Sequence, residues 1–268
     1  MSDVTKAKTA YFLGHNGLGD NITNIGAINF LSNYYDKIYF ICKDKYLENV
    51  KLLFANKIST NKVILIQYAT DKERLECWKI IHKAFTDKSQ PDIFISGFVN
   101  KTYLKSRINN PNIINYKQNN DKYTIKYNHI RDFYNDVKLD LTVYYEYFNI
   151  DSTEISLNYY KDICNYNIIF LHTKASNREI EYPNVIEKYV NDDNTILICA
   201  NKNLYDVNHS KYELANKYVN LLVGHYIDII LNAQEIYVID SCFACIINPL
   251  QITNKLKANI IDIYERKE

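Results

Sequence analysis

The chain uses glycine sparingly, six times in 268 residues, yet four of the six fall between positions 14 and 26. They belong to Gly14-His15-Asn16-Gly17-Leu18-Gly19-Asp20-Asn21-Ile22, which follows an apolar run over residues 10–13 and leads into helical spacing over 21–31. Glycine costs backbone entropy and is kept where the chain turns tightly or another group must come close to it. The pattern predicts a strand, a glycine loop and a helix start, where open amides can face an anion or polar ligand. Two readings of Asp20 stand side by side. It can cap the helix by accepting from the first amides, or act as general base toward a hydroxyl brought to the loop. His15, Asn16, Gly17, Gly19 and Asn21 are the loop positions that would meet a substrate.

A second candidate lies near the other end of the chain. The apolar run 235–239 ends in Asp240-Ser241-Cys242-Phe243-Ala244-Cys245. A strand that stops at Asp240-Ser241 and turns directly into a helix would offer phosphate oxygens the Ser241 hydroxyl and the amides of Cys242 and Phe243, aided by the helix dipole. Ser241 as a plain N-cap is the alternative. Cys242 and Cys245 have the C-x-x-C spacing of redox motifs, but no second pair completes a zinc set. A third candidate is the polar stretch after the apolar run 167–172, where Lys174 and Arg178 could meet phosphate, Lys as a point charge and Arg as a fork. His225 follows Val223-Gly224 and could line a ribose or base pocket; a capping or surface histidine is the alternative. Asp192-Asp193 reads as a polar turn, and no metal is expected.

These residues need scaffolding, and the apolar pattern supplies it. Strand-like runs over 10–13, 37–42, 62–67 and 92–96 alternate with helical spacing over 21–31, 46–55 and 71–85. The pattern restarts with strands over 167–172, 194–200, 219–223, 235–240 and 258–264, and helices over 184–190, 211–217, 226–233 and 243–247. Near-continuous apolar strands between helices indicate parallel sheets covered on both faces. The expected fold is therefore α/β with two Rossmann-like parallel-sheet domains facing a cleft, 1–150 and 151–268, and ligands beyond the carboxyl ends of the strands.

Composition narrows the function. With 47% hydrophobic and 24% charged residues the chain can bury a core. Thirty-two basic residues balance thirty-one acidic ones, so the basic excess of a phosphate-tracking nucleic-acid binder is missing. The glycine order is neither G-x-G-x-x-G nor a Walker loop, which argues against a dinucleotide oxidoreductase and a P-loop enzyme. No apolar run reaches membrane-spanning length, the first residues lack a signal-peptide core, and the six scattered cysteines suit a reducing cytoplasm.

Together, Gly17-Leu18-Gly19-Asp20-Asn21-Ile22 and Asp240-Ser241-Cys242-Phe243-Ala244-Cys245 resemble the corresponding motifs of GT-B glycosyltransferases of the heptosyltransferase-like group. The second departs at Cys245, where that group usually has histidine. The segment from His129-Ile130-Arg131-Asp132-Phe133-Tyr134 to Tyr147 resembles the group's interdomain region. The resemblance implies metal-independent, inverting transfer of a sugar from a nucleotide-sugar donor to a glycan or other hydroxyl acceptor, with no further cofactor. Asp20 would be the base. The first domain would take the acceptor, and the second the nucleotide, through Asp240, Ser241, Cys242, Phe243, Lys174, Arg178 and His225. A non-catalytic nucleotide- or glycan-binding protein on the same fold is the alternative.

Overall fold

The computed structural model describes residues 9–14, 17–97, 105–116, 123 and 128–265, the side chains of Glu73, Arg74 and Asn128 excepted. The chain forms two compact units, Met1–Asp151 and Ser152–Glu268.

The first unit runs β1 (Thr9–Leu13), α1 (Leu18–Thr23), α2 (Ile25–Leu31), β2 (Lys37–Lys43), α3 (Leu47–Leu53), α4 (Ala55–Ser59), β3 (Val63–Tyr68), α5 (Glu73–Thr86) and β4 (Asp92–Ile95). Three helices complete it: α6 (Pro111–Ile114), α7 (Asn128–Asp136) and α8 (Leu141–Glu146). Its strands pair in parallel in the order β3-β2-β1-β4. The second unit contains α9 (Glu154–Ile163), β5 (Asn167–His172), α10 (Pro183–Tyr189), β6 (Thr195–Cys199), α11 (Tyr212–Asn216), α12 (Ile227–Asn232), β7 (Glu235–Ile239), α13 (Cys242–Ile252) and β8 (Ile260–Tyr264). Its sheet repeats the arrangement, parallel in the order β6-β5-β7-β8.

Burial explains the strand composition. Every residue of β6 and β4 is buried, as is all of β5 after Asn167, the signature of sheets packed on both faces. Phe12 on β1 stacks between Phe40 on β2 and Phe94 on β4, with ring centroids 5.8 and 6.1 Å away. The Tyr35 hydroxyl donates to Asp92 at 2.6 Å. The same carboxylate accepts the amides of Asn109 and Asn110, so the buried charge is compensated.

Three sequence expectations are corrected. The single helix expected over 21–31 is two, because the Tyr134 hydroxyl inserts into the backbone ladder, accepting from the Ala27 amide at 3.1 Å and donating to the Thr23 carbonyl at 3.0 Å. Residues 219–223 are not a strand. Asn220 is left-handed (φ 58°), and the Leu221 amide donates to the Tyr226 hydroxyl at 3.0 Å, which replaces a ladder partner. The last helix extends past residue 247 to Ile252 and carries Pro249 inside it, beyond where helical spacing predicts a stop. Among the described residues, no helix is long and apolar enough to cross a membrane.

Candidate functional site

In each sheet the strand order changes direction at the first strand, which puts β1 beside β4 and β5 beside β7. Ligands in such sheets gather at the carboxyl ends of these strands, and both glycine- and serine-bearing turns lie there.

In the first unit, β1 ends at Leu13, whose carbonyl accepts the Ser96 amide at 2.9 Å just past β4. Gly14 is buried between these strand ends; a Cβ there would come within 3.0 Å of the Asn24 amide nitrogen. The Ser96 hydroxyl donates to Asn24 Oδ1 at 2.9 Å, and Asn24 Nδ2 donates to the Asp20 carbonyl. Gly17 caps α1, and Asp20 is the third residue of the first turn. Its Oδ2 accepts the Gly17 amide at 2.7 Å, the reciprocal arm of a capping box. Asp20 is half-buried, and through this bond its carboxylate shapes the loop. Asn21 differs from the expectation of a substrate contact. It is only 2% exposed, and its amide turns back on the Gly17 carbonyl at 2.8 Å, so it supports the loop from inside. Gly19 lies in the first turn with Gly17; His15 and Asn16 lie outside the described residues.

In the second unit, His172 is the last residue of β5 and pairs with Val238 on β7. That register carries the imidazole to the turn three residues on, where its Nδ1 lies 3.0 Å from Ser241 Oγ. Ser241 occupies the N-cap of the eleven-residue α13 but makes no side-chain cap. The plain-cap reading therefore fails: the hydroxyl is turned to His172, with the Cys242 sulfur also within reach. The Phe243 ring packs against His172 at 4.6 Å and against Phe170 and Tyr226. Phe243 is thus an anchor that fixes the imidazole, and only its amide is left to serve a ligand.

Burial lowers the His172 pKa to about 4, so the ring is neutral near neutral pH and its two nitrogens are one donor and one acceptor. A histidine buried neutral weakens the fold in acid. Below its ordinary value of 6.5 the unfolded chain takes up the proton first, so stability falls as pH drops from 6.5 toward 4. Thermal melts across this range should show that slope in the wild type and a shallower one in H172F.

The cysteines argue against redox chemistry. Both members of Cys242-Phe243-Ala244-Cys245 are free thiols, and burial pushes the Cys242 thiol up to about 11, against the low values of reactive cysteines. Among the described residues, no three His, Cys, Asp or Glu side chains group to hold a metal.

The predicted cations are placed unequally. Lys174 and Glu179 bridge across a tight turn closed by the Ala175 amide on the Arg178 carbonyl at 2.7 Å. Arg178 donates to the Tyr264 hydroxyl at 2.8 Å and stacks on that ring, so it is held at the end of β8. Lys174 is exposed. His225 packs on Tyr159 of α9 at 5.7 Å; its contacts belong to that helix interface and not to the Ser241 turn. Asp240 donates its amide to the Tyr264 carbonyl, which joins β7 to β8 at the turn.

Two features have no counterpart in the sequence reading. His172 is one; a histidine closing an apolar run was its only signal. The other is Asn201, just past β6, whose side chain both accepts the Thr173 amide at 2.9 Å and donates to the Thr173 hydroxyl at 3.0 Å. Beside it, Lys202 pairs with Glu179 at 3.1 Å. Thr173, Tyr182, Ile186, Lys202 and Leu204 line a depression of about 370 Å³.

No protein-family model matches the sequence, and no curated protein matches it. Solved structures do match. The E. coli ADP-heptose LPS heptosyltransferase II is 8% identical with a TM-score of 0.52, over 97% of this chain and 86% of that one. A family 9 glycosyl transferase from Veillonella parvula is 10% identical with a TM-score of 0.54, over 98% and 88%. The chain has the GT-B fold. E. coli heptosyltransferase WaaC, solved with ADP, is similar at 9% identity and a TM-score of 0.51, over 97% and 91%. At such identities the likeness is one of fold, and both expected parallel sheets are present in it.

Proposed function

We propose that this GT-B chain is a nucleotide-sugar-dependent glycosyltransferase that moves a sugar to a hydroxyl acceptor with inversion and without a metal. The first unit takes the acceptor, and the second holds the donor nucleotide. The observation that carries the reading is the start of α13. Its first amides are not capped by Ser241, lean on the Cys242 sulfur, a weak acceptor, and stand beside a hydroxyl and a neutral imidazole at the β5–β7 strand ends. Such a turn stabilises a diphosphate leaving group through fixed dipoles, with Lys174 and Arg178 adding charge and no metal required. Asp20 takes the acceptor proton, and a single displacement with one base inverts the sugar. The fold shared with the heptosyltransferases supports this reading, and the free thiols fit a cytoplasmic setting.

A second reading, a nucleotide- or glycan-binding protein without turnover, is favoured by one observation: the Asp20 carboxylate already holds the Gly17 amide.

A thermal-shift screen with UDP, GDP, ADP, CMP and their common sugar conjugates tests the donor site. A ligand at a hundredfold excess over its Kd stabilises by about 2.7 kcal/mol. One nucleoside diphosphate should raise the melting temperature, and S241A should lose most of that rise. No response to any of them counts against the transferase reading and favours a glycan-binding protein.

A further inference from the structure

His172 and Ser241 share one hydrogen bond, and a neutral imidazole leaves two ways to make it. In the first, the Ser241 hydroxyl donates to Nδ1 and the ring proton sits on Nε2. In the second, Nδ1 carries the proton and donates to Ser241 Oγ. The choice matters because Ser241 has one hydroxyl proton and three acceptors competing for it: His172 Nδ1 at 3.0 Å, the Cys242 sulfur, and any phosphate oxygen at the α13 N-terminus. Without a ligand, the imidazole nitrogen is the stronger protein acceptor, so the hydroxyl is spent on His172. A phosphate oxygen is charged and outcompetes a neutral nitrogen. Once the hydroxyl turns to phosphate, an unprotonated Nδ1 would face an oxygen lone pair, a buried acceptor without a donor. Moving the ring proton from Nε2 to Nδ1 restores the bond. Nε2 has no protein partner among the described residues and is not sealed off, since 9% of the residue stays open, so water can take the proton at one nitrogen and return it at the other. Meanwhile the Phe243, Phe170 and Tyr226 packing holds the ring still.

We propose that His172 is a positioning residue of the donor-phosphate site: its imidazole changes tautomer when phosphate binds, and so hands the Ser241 hydroxyl to the ligand. The inference rests on the reading of the α13 start as the phosphate site.

Inorganic pyrophosphate is the probe, because it carries the phosphates without a base or sugar. Nitrogen-15 NMR of the full chain should show His172 Nδ1 moving from the pyridine-type to the pyrrole-type range as pyrophosphate saturates. S241A should abolish that movement and weaken pyrophosphate binding about tenfold, the effect of one hydrogen bond to a charged group. H172F, which keeps an aromatic ring against Phe243, should weaken it similarly, and the double variant should lose no more than S241A alone. H172N, which can still place a donor near Ser241, should bind within about threefold of the wild type. Saturation with Nδ1 unchanged, or additive losses in the double variant, overturns the inference and leaves the phosphate site standing. Pyrophosphate that does not bind overturns both.

Discussion

Replacing Asp20 with asparagine should lower turnover by roughly two to four orders of magnitude, the usual contribution of a positioned general base, while donor binding stays close to wild type. The structure makes this substitution a clean one. Asp20 Oδ2 accepts the Gly17 amide at 2.7 Å, and asparagine keeps an oxygen there, so this bond and the loop survive while the basic carboxylate is lost. Alanine removes both functions and should cost about 1 kcal/mol of stability besides. The comparison therefore separates the two roles of one side chain. With the sugar nucleotide identified by thermal shift, kcat and donor Kd are measured for D20N and D20A against wild type. A kcat loss in D20N with an unchanged melting temperature assigns Asp20 to proton transfer. A D20N protein that turns over normally, with only D20A destabilised, makes Asp20 a loop support and removes it from the mechanism. Wild-type protein that binds the nucleotide but never transfers its sugar establishes the binding-protein reading.

The sequence carried the sheets well because parallel strands buried on both faces leave an unmistakable mark. The run 167–172 coincides with β5, and 235–240 overshoots β7 by one residue. Helix ends were less legible, since side chains distant in sequence decide them. The break between α1 and α2 is made by Tyr134, over a hundred residues away. α9 went unread because its start is set by a local exchange between Thr153 and Ser156, and its Ile155 and Leu157 lie exposed, which blurs the apolar stripe. At the candidate site, the glycine and Asp-Ser turns were visible as motifs, because a strand-to-helix turn restricts residue type. What those side chains touch was not. Ser241 as a partner of His172 depends on β5 lying next to β7, a pairing across some seventy residues. The hold of Arg178 on the Tyr264 hydroxyl was likewise out of sight, because it depends on where the β8 edge lies.

Gly26→Ala should destabilise the first unit by about 2–4 kcal/mol, against the sign expected for its position. In a helix interior, glycine to alanine ordinarily gains about 1 kcal/mol through backbone entropy. Gly26 lies inside α2 with no left-handed backbone to favour glycine, so propensity alone predicts a gain. Packing reverses it. A Cβ there would stand 2.7 Å from the Val143 carbonyl oxygen, 2.8 Å from that of Tyr144 and 2.9 Å from the Tyr134 hydroxyl. Two of these are backbone atoms of α8 and cannot swing aside, so α2 and α8 must separate. Overpacking of this kind costs roughly 1–3 kcal/mol. The third contact is the hydroxyl that joins Ala27 to Thr23; displacing it breaks two buried hydrogen bonds, at about 1 kcal/mol each. These terms together exceed the propensity gain. The consequence extends to function, because α1 carries Asp20 on its first turn and is held to α2 by that same Tyr134 hydroxyl. Urea unfolding of G26A, followed beside Y134F, checks the argument: Y134F should lose only the hydrogen-bond part, about 2 kcal/mol, and G26A in the Y134F background should lose less than the sum of the two. A G26A protein as stable as the wild type would mean that α2 and α8 do not approach each other this closely, and that Gly26 is present for no packing reason.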